Sequence, residues 1–160
     1  MRKLLIFVLV ILLLGSAITS FGDNGEYENK KVYYVDSQVF SLIGINTEIS
    51  KGDKEAQAKE LIDQLIKGHD ENNKIKRVIP NNQNALNVKV RDNTAYVNIN
   101  KKYFTQSGRE TERLIVYSIV NTLTSVDGID VVRFTIDKST SKDFMGYLDM
   151  REGFVTNYLY

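Results

Sequence analysis

Residues 86–99 alternate apolar and polar side chains on either side of Asp92-Asn93. Leu86, Val88 and Val90 lead in, and Ala95, Val97 and Ile99 lead out. Asn87, Lys89, Arg91, Thr94, Tyr96 and Asn98 fall between them. A period of two sends one set to a buried face and the other to water, which describes an antiparallel hairpin with one wet side. The Asp-Asn pair fits a two-residue turn, although the Gly that best tolerates its backbone is missing. A chain with this segment has to cover the apolar side with other elements.

Two segments with helical spacing serve that purpose. In residues 54–67, Ala58, Leu61, Ile62, Leu65 and Ile66 form an apolar stripe opposite Lys59, Glu60, Asp63, Gln64 and Lys67. Asp53 is the expected N-cap and Gly68 the expected stop. A second stripe runs through Ile115, Val116, Ile119, Val120 and Leu123 and ends before Asp127-Gly128. Ser107 followed three residues later by Glu110 reads as its capping box. Val32-Tyr33-Tyr34-Val35 reads as a short strand, residues 40–49 as a weak second one, and residues 131–136 as a strand burying Val132, Phe134 and Ile136. Phe154-Val155 stands as a short last strand. The expectation is an α+β two-layer sandwich: one small mixed or antiparallel sheet with two helices on one face. The wet face would display Lys89, Arg91, Tyr96, Asn98 and Arg133. Tyr and Arg are enriched at interaction hot spots, so these five residues form the candidate interaction surface.

Candidate chemistry is sparse. The 160 residues, 42% of them hydrophobic, suit one domain with its own core. There is no cysteine, which excludes disulfides, thiol nucleophiles, thiolate metal sites and a Cys-linked lipid anchor. The formal net charge of +1 gives no field that favours nucleic acid. His69 is the sole histidine. Beside Asp70 and Glu71 in a polar loop, it reads as a solvated residue rather than a base or ligand, since triads and metal sites need several convergent groups. Asp36, Asp127, Asp130, Asp137 and Asp149 lie at strand or loop ends, where turn chemistry accounts for them. A pair of them acting as acid and base is the alternative. Gly44 and Gly52 lack the spacing of a phosphate loop, and Lys74, Lys76 and Arg77 are too short a basic run to form a polybasic patch. No catalytic, cofactor-binding or metal-ligating residue is expected, so the chain reads as a non-enzyme.

The N-terminus carries a separate message. Arg2 and Lys3 precede an unbroken apolar run over residues 4–14, extended by Gly15, Ser16, Ala17 and Ile18. Residues 1–22 have the layout of a secretory signal, with cleavage after Gly22 and Ser20 at the small −3 position. Left uncleaved, a stretch continued to Phe21 would just reach the roughly 17–25 residues that span a bilayer. The basic pair places the rest of the chain outside the cytoplasm in both cases. Residues 23–31 read as a polar linker, and residues 32–160 as the folded domain.

The order of these pieces resembles a GerMN domain, the sporulation and spore-germination module of Gram-positive spore formers. Val32-Tyr33-Tyr34-Val35-Asp36 resembles its opening strand, and Leu61-Ile62-Asp63-Gln64-Leu65-Ile66-Lys67-Gly68 its first helix. Ile79-Pro80 and residues 86–100 resemble the following Pro and the central hairpin. Val120-Asn121-Thr122-Leu123-Thr124 and residues 131–137 resemble the second helix and the strand after it. Gly146-Tyr147-Leu148-Asp149 and Phe154-Val155-Thr156-Asn157 resemble the closing segment. His69 stands where the family prefers Pro, and Lys138 where it prefers Gly. The resemblance implies a compact domain related to ring-building modules, an extracytoplasmic role at the envelope, no catalytic residues and no cofactor. The partner would be another envelope protein or a further copy of the chain. Membrane contact would come only through an uncleaved N-terminal segment. Peptidoglycan binding through Tyr96 and Asn98 is the alternative, and a small wall hydrolase using paired carboxylates a further one.

Overall fold

The computed structural model describes residues 26–69, 74–140 and 144–159. Residues 1–22, read above as the export segment, lie outside the described residues, as do Asp70 and Glu71. Among the described residues no helix is long and apolar enough to cross a membrane.

The chain forms β1 (Tyr27–Asp36), β2 (Leu42–Ser50), α1 (Lys54–Lys67), β3 (Ile75–Lys76), β4 (Leu86–Arg91), β5 (Thr94–Ile99), a 3-10 turn at Lys101–Tyr103, α2 (Arg109–Leu123) and β6 (Val131–Ile136). The class is α+β, but the strands form two three-stranded sheets rather than one, ordered β2-β1-β3 and β4-β5-β6. The central hairpin is the one the alternation predicts, in register from Leu86↔Ile99 to Arg91↔Thr94. Asp92 takes the left-handed φ of 51° that the missing Gly would have accommodated. Strand β6 then pairs parallel to β5, which needs a long crossover, and α2 supplies it.

Three further expectations change. Strand β1 starts at Tyr27, so most of the supposed linker 23–31 is sheet. Its polar composition hides this because Lys30 is buried as a member of an ion cluster, 3.1 Å from Glu28 and 2.9 Å from Asp127. Burial pulls the Lys30 pKa down, but the bonds to Asp127 and Glu28 outweigh it and hold the group above its ordinary value. Strand β2 is nine residues long. It lies at the sheet edge with only Ile49 buried, so it lacks the alternation that marks a strand in sequence. The Ser107 capping box is not formed. Gly108, at φ 115°, is the N-cap, no side chain caps the helix, and Glu110 instead pairs with Arg113 at 3.2 Å. Helix α1 does follow its signals: the Asp53 carboxylate accepts the Ala56 N–H, and Gly68 ends the helix at φ 79°.

The apolar faces of both sheets and both helices share one buried cluster, centred on Val32, Val35, Leu61, Ile66, Ile99, Ile115, Ile119 and Leu123. Polar residues of α2 tie other segments to it. The Tyr33 N–H donates to Thr122 Oγ1 (2.9 Å), and Ser125 Oγ donates to the Lys31 carbonyl (3.1 Å). Asn121 donates to the Asn157 carbonyl (2.7 Å) and accepts the Asn157 N–H (3.0 Å), as a strand neighbour would. The Asn-Thr-Leu-Thr stretch is thus a polar clasp on β1 and on the C-terminal segment. Lys138, at φ 67°, occupies the left-handed region where Gly is favoured, and its N–H is held by Asn98 Oδ1 at 2.6 Å.

Tyr34 is buried, and its hydroxyl donates to the Gln64 carbonyl at 3.1 Å. Burial pushes its pKa up to about 12, against a smaller opposing pull from Arg77. The folded state therefore keeps the phenol neutral where the unfolded chain ionises it. This contribution is complete below pH about 10 and is lost as pH rises through about 12, up to about 3 kcal/mol for a two-unit shift. Urea unfolding as a function of pH should show that fall, and Tyr34→Phe should flatten it.

Candidate interaction surface

Strands β4, β5 and β6 turn Leu86, Val88, Ala95, Val97, Ile99, Val132, Phe134 and Ile136 inward, all of them buried. Strict alternation then sends the intervening residues outward. The register aligns Lys89, Tyr96 and Arg133 in one row across the three strands. Asn87, Asn98 and Thr135 form the row on one side, and Arg91, Thr94 and Val131 the row on the other. All five residues of the candidate surface thus lie on one face.

The face is cationic around an aromatic centre. Lys89, Arg91 and Arg133 are exposed, and Tyr96 is 43% exposed between them. None of the three cations forms an ion pair among the described residues. Among the described residues Arg133 donates to the Arg151 carbonyl, at 3.4 Å. Lys89, Arg91 and Tyr96 line a shallow depression. Asn98 differs from its neighbours. It is half-buried, and its Oδ1 is already shared by Thr135 Oγ1 (3.0 Å) and the Lys138 N–H (2.6 Å), so it braces the turn after β6. Sequence spacing placed Asn98 on the right face but could not show that its acceptor was already in use.

The other chemical candidates are engaged elsewhere. The Asp36 carboxylate accepts the N–H groups of Gln38 and Val39 in the β1–β2 turn. Asp130 accepts from Asn93 (2.8 Å), Asp137 from the Lys101 N–H (3.0 Å), Asp127 from Lys30 (2.9 Å), and Asp149 pairs with Arg151. Each meets a donor at a different place in the fold. Among the described residues no group of three or more His, Cys, Asp or Glu side chains is placed to hold a metal ion. His69 is half-buried rather than solvated, its ring 5.8 Å from that of Tyr34 beside the end of α1. The basic run has structural work: Arg77 donates to the Ile66 (2.7 Å) and Lys67 (2.8 Å) carbonyls that α1 leaves without helical partners, and Lys76 stands over the Phe40 ring.

Solved structures share this fold. The tandem GerMN domains of the sporulation protein GerM from Bacillus subtilis align with 22% identity and a TM-score of 0.61, covering 81% of this chain and 46% of that one. This chain therefore spans about half the length of the tandem protein. The first GerMN domain of the same protein aligns with 22% identity and a TM-score of 0.56, covering 81% and 97%. A Clostridium perfringens protein assigned as a lipoprotein aligns with 16% identity and a TM-score of 0.56, covering 82% and 87%. No curated protein matches the sequence significantly. The Germane family, described as sporulation and spore germination, matches residues 31–141, from the Lys31 carbonyl that Ser125 holds to the turn that Lys138 completes. More than half of the chain is thus accounted for, and the protein belongs to the Germane family of sporulation and spore germination.

Proposed function

We propose that this protein is an exported, non-catalytic interaction module of the Gram-positive cell envelope, acting in sporulation or germination. Its outward β4–β5–β6 face docks another envelope protein. The observation that carries the reading is the exposed row Lys89–Tyr96–Arg133 with Arg91 beside it: three cations with no ion pair among the described residues, around one aromatic ring on an outward sheet face. Such a face suits a protein surface bearing carboxylates, with Tyr96 as the apolar anchor and the cations steering approach. The family and the basic-then-apolar N-terminal sequence support the location.

A photo-crosslinking residue at Tyr96 in sporulating cells tests it. A discrete envelope protein should crosslink, and Arg91→Glu should abolish the adduct. With the purified partner, Tyr96→Ala should weaken binding by at least about 30-fold, the scale of a 2 kcal/mol hot spot. Normal spores from a deletion strain, together with no adduct, would sink the reading. Co-sedimentation with purified peptidoglycan, lost on Tyr96→Ala, would make the domain a wall binder instead. An altered muropeptide profile after incubation would make it a hydrolase.

A further inference from the structure

The β1–β2 ladder runs without a bulge from Tyr27↔Ser50 to Val35↔Leu42. Just beyond its ends, the Lys51 N–H donates to the Glu26 carbonyl (2.7 Å) and the Asp36 N–H to the Ser41 carbonyl (2.8 Å). Antiparallel pairs alternate between bonded and non-bonded, so the odd-numbered residues of β2 bond to β1. The N–H and C=O groups of Leu42, Gly44, Asn46, Glu48 and Ser50 then point away from it. Ser50 shows this directly, its N–H donating outward to Glu60 of α1 at 3.1 Å. From Leu42 to Glu48 the outward groups have no hydrogen-bond partner among the described residues.

On the other outer strands, groups within the edge are engaged. Beyond β1 lie β3, Thr122 and Ser125. On β4, the Val90 N–H donates to Glu55 at 3.0 Å. That carboxyl is held below its usual range by Lys59 first and by this N–H second. Val132 of β6 exchanges both backbone bonds with Phe154. Strand β2 also lacks the usual guards of a free edge: it has no Lys, no Pro and no bulge, and Glu48 is its only charge.

We propose that this edge pairs with the same edge of a second copy, antiparallel about a two-fold axis at Ile45. That register sets Leu42 opposite Glu48 and Gly44 opposite Asn46, so each outward-bonding residue meets another and no like charges face. Ile45 meets Ile45, and Ile43 meets Thr47, which are β-branched cross-strand pairs of the favourable kind. Ile43, 42% exposed in one copy, is covered in the pair. The interface is isologous and joins the two β2-β1-β3 sheets into one continuous sheet. It is smaller than the roughly 1,200 Å² of a stable complex, so the dimer is weak and concentration-dependent. It leaves the β4–β5–β6 face free and stands or falls separately from the function proposed for that face.

The full chain, held in mild detergent, is measured by sedimentation across about 10 to 300 µM. The dimer fraction should rise through this range, and Asn46→Pro should weaken dimerisation by more than about tenfold at unchanged circular dichroism, because proline there removes only an outward N–H. The chain has no cysteine, so Ile45→Cys introduces a unique thiol that mild oxidation should link to its copy, whereas Lys89→Cys should stay unlinked. The proposal is overturned by a monomer throughout, by an Asn46→Pro protein that dimerises as well as its parent, or by dimers lost on Arg91→Glu instead. If Asn46→Pro fails to fold, the thiol decides: no Ile45→Cys crosslink where the parent dimerises overturns it equally.

Discussion

Glu112→Ala should destabilise the domain by about 2–5 kcal/mol and release its C-terminal segment. Glu112 lies on α2 with no exposed surface, yet it faces no cation among its described hydrogen-bond partners. Its two carboxylate oxygens instead accept the N–H groups of Met145 (2.8 Å), Tyr147 (2.8 Å) and Leu148 (3.1 Å). Three backbone donors thus converge on one buried side chain, and each depends on it for its hydrogen bond. Truncation leaves those donors without an acceptor and opens a cavity at a fully buried position. Chemical denaturation gives the stability change. Hydrogen exchange should show the amides of residues 145–148 losing protection before those of β4 and β5. A variant within about 0.5 kcal/mol of the parent, the range of ordinary surface changes, would show that the carboxylate does not hold this segment.

Leu123→Ala should cost about 2–5 kcal/mol, because Leu123 is fully buried in the shared core at the end of α2 and the space it leaves cannot fully collapse. Arg91→Glu, on the open face, should change stability by less than about 0.5 kcal/mol while weakening partner binding. The two variants separate the faces of the protein: one loses fold with surface chemistry intact, the other loses docking with fold intact. Thermal or urea unfolding of both, beside binding to the crosslinked partner, makes the comparison. Similar destabilisation in both would mean that the β4–β5–β6 face is covered rather than open.

Much of the fold was legible because its signals are local. Alternation over residues 86–99 and the helical stripes reflect side-chain periodicity, and burial in the structure follows both. The candidate surface was legible for the same reason: Lys89, Arg91, Tyr96 and Asn98 alternate with core residues, and Arg133 alternates with Val132 and Phe134. The misreadings came where a residue's partner is distant in sequence. Lys30 looked like linker because Asp127 lies 97 residues away, and β2 looked weak because an edge strand has little to bury. The buried role of Glu112 had no local signature at all, since its partners begin 33 residues later in an irregular segment.

By itself, then, the sequence determined the elements with a period of their own, the absence of cysteine chemistry, the resemblance to a sporulation domain and which residues share the open face. Those follow from side-chain spacing and composition, which need no knowledge of long-range contacts. Only the tertiary structure decided that there are two sheets, that Asn121, Thr122 and Ser125 clasp distant segments, that Glu112 fastens the C-terminal segment, and that β2 is the outer strand of its sheet. Each depends on which polar groups meet across the fold, and a buried donor or acceptor must be satisfied wherever in the chain its partner lies.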